Sequence, residues 1–233
     1  MKNILTMMLI TLICLFTSVS ADEPADIWKS YYENGKLECE TPLVNVERHG
    51  IEKCYYENNG KLKKEIPWVN GKKHGIEKKY YESGQLKDEI PYANGKLDGL
   101  AKKYYENGQL DIETPFTKGL VDGVAKKYYE TGQLLHEITF INGKAVGTMK
   151  GYYVGGQLEF EELLVDGYNH GPIKGYYESG KLKYQTMYVK GKKHGIEKQY
   201  YENGQISREA LYVNDEQRGN TNWYDENGKL LVE

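Results

Sequence analysis

Apolar and polar residues alternate with a period of two along most of this chain. In the stretch 86–93, Leu86, Asp88, Ile90 and Tyr92 share one side, and Lys87, Glu89, Pro91 and Ala93 share the other. The stretch 76–81 before it is short and strand-like, and the two are separated by Ser83-Gly84. Asn94-Gly95-Lys96-Leu97-Asp98-Gly99 follows as a second, wider turn. The apolar spacing does not follow 3.6, and glycine interrupts about every dozen residues, so the pattern predicts hairpins and not helices. A two-residue turn at 83–84 would pair Tyr81 with Leu86 and Tyr80 with Lys87. The second tyrosine of the doublet then joins the face of Leu86, and the first joins the opposite face.

The same unit recurs along the chain. Its first-turn glycine falls at 35, 60, 84, 108, 132, 156, 180, 204 and 228, in steps of 25 once and 24 seven times. Such a period marks a repeat architecture. Tyrosine doublets hold 16 of the 22 tyrosines, and 23 of the 26 glycines fall in turn columns, where they serve backbone geometry. A leucine column runs Leu37, Leu62, Leu86, Leu110, and an aromatic column runs Trp68, Tyr92, Phe116, Phe140. The predicted fold is all-β: an elongated, single-layer antiparallel sheet of nine hairpin units over 22–233, the last a partial cap. Each unit would be stabilised by its neighbours, with no closed core. Nine units of two strands set an upper limit near eighteen strands, which at about 4.8 Å each would run roughly 80 Å. The unit around Tyr152-Tyr153-Val154-Gly155-Gly156 and the segment Pro172-Ile173-Lys174-Gly175 depart from the pattern. That region is expected to show altered curvature or a specialised contact, or simple drift of a redundant repeat.

The first residues carry a different pattern. Lys2 precedes an apolar run from Ile4 to Phe16, and Val19-Ser20-Ala21 fits a small-x-small cleavage site, so residues 1–21 read as a signal-peptide helix. An uncleaved anchor is the other reading. Export to the periplasm, envelope or medium is the expectation. Net charge is -3 over the whole chain; removing Lys2 leaves 30 basic against 34 acidic residues, or -4. That balance, with no basic block, argues against nucleic-acid binding. Cys39 and Cys54 remain after cleavage. The repeat frame puts them on neighbouring strands, so a disulfide across one ladder is expected in an oxidising compartment, with two unpaired core thiols as the alternative.

Candidate chemistry is sparse. His49, His74, His170 and His194 share a turn column, but zinc ligands lie about 2 Å from the ion while column neighbours lie about 9.5 Å apart. Turn duty accounts for them better, and no metal or cofactor is expected. His136 stands alone on a strand and reads as a surface residue. No nucleophile elbow, Cys–His pairing, Walker loop or HExxH occurs. Carboxylates repeat with the unit, so no single pair stands out as acid and base. An enzyme is not expected.

The run Tyr104-Tyr105-Glu106-Asn107-Gly108 with Asn94-Gly95-Lys96-Leu97-Asp98-Gly99 resembles the variant MORN repeat, of the kind found in bacterial proteins labelled YwqK-family antitoxins. The resemblance covers residues 27–233. It implies successive hairpins in a long sheet, used as interaction or membrane-associated scaffolds. A cytosolic toxin would not meet a chain that starts with an export signal. Three functions follow: a scaffold binding another protein through a tyrosine-rich face, a glycan- or envelope-binding module, and a lipid-associated array, the last without a basic stripe to support it. The candidate interaction residues are Tyr81, Tyr105, Tyr129, Tyr153, Tyr177, Tyr201, Trp68, Tyr92, Phe116 and Phe140.

Overall fold

The computed structural model describes residues 26–231, so the expected signal peptide lies outside the described residues. These residues form one open antiparallel sheet of 23 strands. The unit is a hairpin. Its descending strand is eight residues long, as in Leu62–Val69, Leu86–Ala93 and Leu110–Thr117. Its ascending strand is either broken in two, as in Lys72–Lys73 with Gly75–Tyr80, or continuous, as in Lys144–Tyr152. Five ascending strands are broken, so nine hairpins of two strands give 18 plus 5, or 23 segments. The break has a local cause. His74 N–H donates to the Pro67 carbonyl, and Gly75 follows with φ 110°. The histidine column therefore sits in a bulge.

The two turns exchange the roles expected of them. Ala93 pairs directly with Lys96, leaving only Asn94 and Gly95 between, both at positive φ (51° and 82°). This is the tight type I′ turn, which needs a left-handed conformation at both positions. At the other end only Gly84 has positive φ. Gly84 N–H donates to the Tyr81 carbonyl and Tyr81 N–H to the Gln85 carbonyl, which makes a longer loop. Tyr80 therefore pairs with Leu86 and not with Lys87, and a bulge then sets Lys79 against Asp88. The bulge returns only the rest of the strand to the expected facing: Tyr81 shares a side with Asp88, Ile90 and Tyr92, whereas Leu86, expected on that side, lies with Tyr80 on the other.

Burial is thin, as a one-layer sheet dictates. Among the described residues only Cys54, Ile66, Leu164 and Ala210 are buried apolar side chains, while Thr41, Glu52, Glu77, Asp111, Thr186 and Glu197 are buried polar ones. Stability has to come from ladders and from links between hairpins, not from a core. The turns supply part of this: Gly95 N–H donates to the Lys73 carbonyl one unit back, and Gly119 N–H to Leu97. Cys39 and Cys54 stand opposite each other in the ladder and are joined as a disulfide.

Candidate interaction faces

The sheet has two chemically distinct faces. The first, here the ladder face, carries Ile76, Lys78 and Tyr80 on the ascending strand against Pro91, Glu89 and Leu86. Lys78 lies between Glu89 and Glu65, and Glu89 between Lys78 and Lys102. The alternation continues through Lys102, Glu113, Lys126, Glu137, Lys150, Glu161 and Lys174. It is interrupted by the neutral Gln185, which separates Lys174 from Lys198. Contacts close to 3.5, 3.2 and 3.0 Å at Lys126–Glu113, Lys174–Glu161 and Lys198–Glu209. From Lys53 to Glu161 each charge has an opposite charge on both sides, so that part of the row presents little net field to a partner.

The first tyrosine of each doublet belongs to this row. Tyr80, Tyr104 and Tyr128 donate their hydroxyls to Glu65, Glu89 and Glu113 of the preceding hairpin at 2.8 to 2.9 Å. Burial, and then the bond to the carboxylate, pushes these three hydroxyls up to about 12. Below the charge row runs an apolar stripe. Ile51 pairs with Pro67, Ile76 with Pro91, Leu100 with Pro115 and Ile196 with Leu211. Ile76 is 50% exposed and Leu100 44%. This stripe was not anticipated, although the pattern shows it: the residue after the second-turn glycine is apolar in Gly50-Ile51, Gly75-Ile76, Gly99-Leu100, Gly123-Val124 and Gly195-Ile196.

The opposite, ring face holds both predicted aromatic columns. Tyr81, Tyr105, Tyr129, Tyr153, Tyr177 and Tyr201 are half-buried along one margin. Each hydroxyl donates to the backbone carbonyl of the first tyrosine in the next hairpin, at 2.7 to 2.8 Å. These tyrosines are thus rungs between hairpins, with their polar ends engaged inside the array. Trp68, Tyr92, Phe116 and Phe140 line the other margin, also half-buried. Each has a glycine opposite it on one side: Gly50, Gly75, Gly99 and Gly123. Arg48 lies over Trp68 at 4.8 Å and Lys73 over Tyr92 at 4.7 Å.

Between the margins lie the buried carboxylates, which the repeat spacing alone cannot distinguish from exposed ones. Lys73 reaches Glu77 at 2.5 Å. Glu197 accepts from Lys193 at 2.6 Å, from Thr186 at 3.1 Å and from Arg208. Burial pushes the Glu197 carboxyl up, and these donors outweigh it and hold the group below its usual range. Cys39, Glu52 and Cys54 converge here, but the disulfide engages both sulfurs. His136, expected at the surface, is instead half-buried on this face beside Phe160, with ring centroids 5.5 Å apart, because the neighbouring aromatic ring covers it. Burial lowers its affinity for a proton, and its Nδ1 has no hydrogen-bond partner. Among the described residues no helix is long and apolar enough to cross a membrane.

No curated protein matches this chain. Solved structures similar to it include a crystal structure of the GtfA/B complex bound to UDP and GlcNAc, at 18% identity and TM-score 0.22, over 49% of this chain and 22% of that one. A crystal structure of TcdB2-TccC3-Cdc42 aligns at 12% identity and TM-score 0.22, over 88% of this chain. The present chain spans only 13% of that second structure's chain. The description "MORN repeat variant" fits residues 27–45, 48–70, 73–94, 97–118, 121–142, 169–190, 193–214 and 217–233, and passes over 143–168. With that motif matched over most of its length, in register with the hairpins, the chain belongs to the MORN repeat variant family.

Proposed function

We propose that this chain is an exported, non-enzymatic scaffold that holds a protein partner along its ladder face. The apolar stripe carries this reading. Ile51, Ile76, Leu100 and Val124 are each roughly half exposed, in equivalent positions one hairpin apart. They recur every two strand spacings, about 9.5 Å. Contiguous exposed apolar surface of this kind marks an association site. The neighbouring charge row is neutralised within the sheet, so the occupant is an uncharged, apolar-ridged protein surface and not a polyanion. The first-doublet tyrosines, amphipathic residues favoured at interfaces, lie on the same face, across the charge row from the stripe. Export is supported by the leader-like residues 1–21 and by the Cys39–Cys54 bridge.

A photo-crosslinking side chain at position 76 or 100 tests the reading. One partner, mapped to a defined apolar segment, is expected at both positions. Binding of that purified partner should fall at least about tenfold in Leu100→Asp with Val124→Asp, with the melting temperature unchanged. Unaltered binding in the double variant overturns the assignment. Mass spectrometry of the mature N-terminus checks the cleavage after Ala21.

A further inference from the structure

Twenty-three of the 26 glycines adopt positive φ; the other three are Gly151, Gly155 and Gly175. Gly151 and Gly175 lie in strands, at the ladder position held by Lys79, Lys103 and Lys127 in earlier hairpins. Both are buried beneath rings. A Cβ on Gly151 would stand 2.1 Å from Phe160 Cε1, and a Cβ on Gly175 would stand 2.1 Å from Tyr184 Cε1. The missing side chains therefore let two aromatic rings lie against the backbone. In the equivalent position other hairpins carry Lys64, Asp88 and Ile112. The specialised stretch includes residues 143–168, the part that the family description passes over.

The surroundings of the rings indicate the ligand. Tyr184 forms a ridge between two hollows of about 410 and 280 Å³. The first is lined by Glu162, Asn169, Tyr188, Gln199 and the Lys193–Glu197 ion pair, the second by Tyr177, Lys183 and Ser207. Asn169 donates to Glu162 at 3.4 Å, and burial makes the Glu162 carboxyl easier to protonate. The hydroxyls of Tyr184 and Tyr188 and the amide of Gln199 bond to no other described residue, so donors and acceptors are both free. Burial first, and then the charges of Glu159 and Glu162, make the Tyr184 hydroxyl harder to ionise, so it stays a neutral hydrogen-bonding group. Phe160 and Tyr184 occupy equivalent positions on strands two spacings apart, about 9.5 Å. In an extended β-1,4-linked chain successive sugar rings flip over, so alternate rings present the same apolar face at a comparable repeat.

We propose that the ring face over hairpins six to eight binds a linear β-1,4-linked polysaccharide, with alternate sugar rings stacked on Phe160 and Tyr184 and their hydroxyls met by Glu162, Asn169, Tyr188 and Gln199. This surface lies on the other side of the sheet from the apolar stripe and does not depend on a protein partner.

Calorimetric titration of the full mature chain with cello-oligosaccharides and N-acetylchito-oligosaccharides, with maltohexaose as the α-linked control, tests it. A hexasaccharide of one β-linked series is expected to bind at least about tenfold more tightly than its disaccharide, because only the longer chain spans both rings. Phe160→Ala with Tyr184→Ala should weaken binding at least about tenfold, and Tyr184→Phe should retain it. Gly175→Lys restores the side chain of the sister hairpins and so suits the fold, but should unseat Tyr184 and also abolish binding. Leu100→Asp on the opposite face should leave sugar binding unchanged. Failure of the wild-type chain to bind either β-linked series overturns the proposal. So does equal affinity for maltohexaose, or unaltered affinity in both the double alanine variant and Gly175→Lys.

Discussion

At the residue scale the tyrosine doublet divides its labour. Tyr105 ties its hairpin to the next through the Tyr128 carbonyl, and Tyr104 reaches back to Glu89. One doublet thus links three consecutive units. The sequence showed the doublets but not these partners, because the bonds join residues 15 or 23 positions apart across strands. The rows impose a pH limit. Tyr80, Tyr104 and Tyr128 are pushed to about 12 in the folded chain, above the model-peptide value of 10.0. The unfolded chain therefore loses these protons first as pH rises, so unfolding in that range releases protons and rising pH favours it. Their contribution is intact below about pH 10 and is lost as pH climbs from there through about 12. Thermal melts across pH 9 to 12 should show this decline, and Tyr80→Phe, Tyr104→Phe and Tyr128→Phe together should make it shallower, with Tyr55 and Tyr176, also pushed to about 12, supplying what remains. Each substitution should cost about 1 kcal/mol near neutral pH for the lost bond. A slope unchanged in the triple variant would refute the assignment.

At the element scale the hairpin period was legible and its inner geometry was not. Glycines every 24 residues, flanked by alternating runs, sufficed for the number and order of hairpins, but not for the five ascending strands that break in two. Both turns read as a small polar residue followed by glycine, so Ser83-Gly84 and Asn94-Gly95 look interchangeable. What separates them is the bulge after Leu86 and the left-handed backbone at Asn94, both set by the closing pairs. The disulfide was more legible, because the repeat frame alone placed Cys39 and Cys54 on adjacent strands. Its loop spans a sequence separation of 15 residues. Cys39→Ser with Cys54→Ser should therefore lower stability by roughly 3 kcal/mol, read as a shifted denaturation midpoint that added reductant no longer moves. Equal midpoints for oxidised wild type and the double variant would show that the bridge constrains nothing. Of the candidate sites, the aromatic columns were visible in the pattern. The buried Glu77 and Glu197 were not, because the repeat makes every carboxylate look alike.

At the scale of the whole molecule, stability is a sum of hairpins and their neighbour contacts. Deleting residues 99–122 removes one complete hairpin and rejoins Asp98 to Gly123, each in its own turn column. The shortened chain should fold, keep its β circular dichroism, and lose about 9.6 Å of length in small-angle scattering. Collapse to an unfolded chain would contradict the one-dimensional account. Deleting only a descending strand, such as Leu110–Thr117, should be far more damaging.

The difference between those two deletions lies in the row of lysines and glutamates. Each hairpin from Lys53 to Glu161 contributes one of each, so a cut and splice at matching points within that run leaves Glu89 beside a lysine, whether Lys102 or Lys126. A splice of half a unit would set like signs side by side. The array can therefore be copied or trimmed only in whole quanta, and the electrostatics of its backbone act as a proofreader of gene duplication.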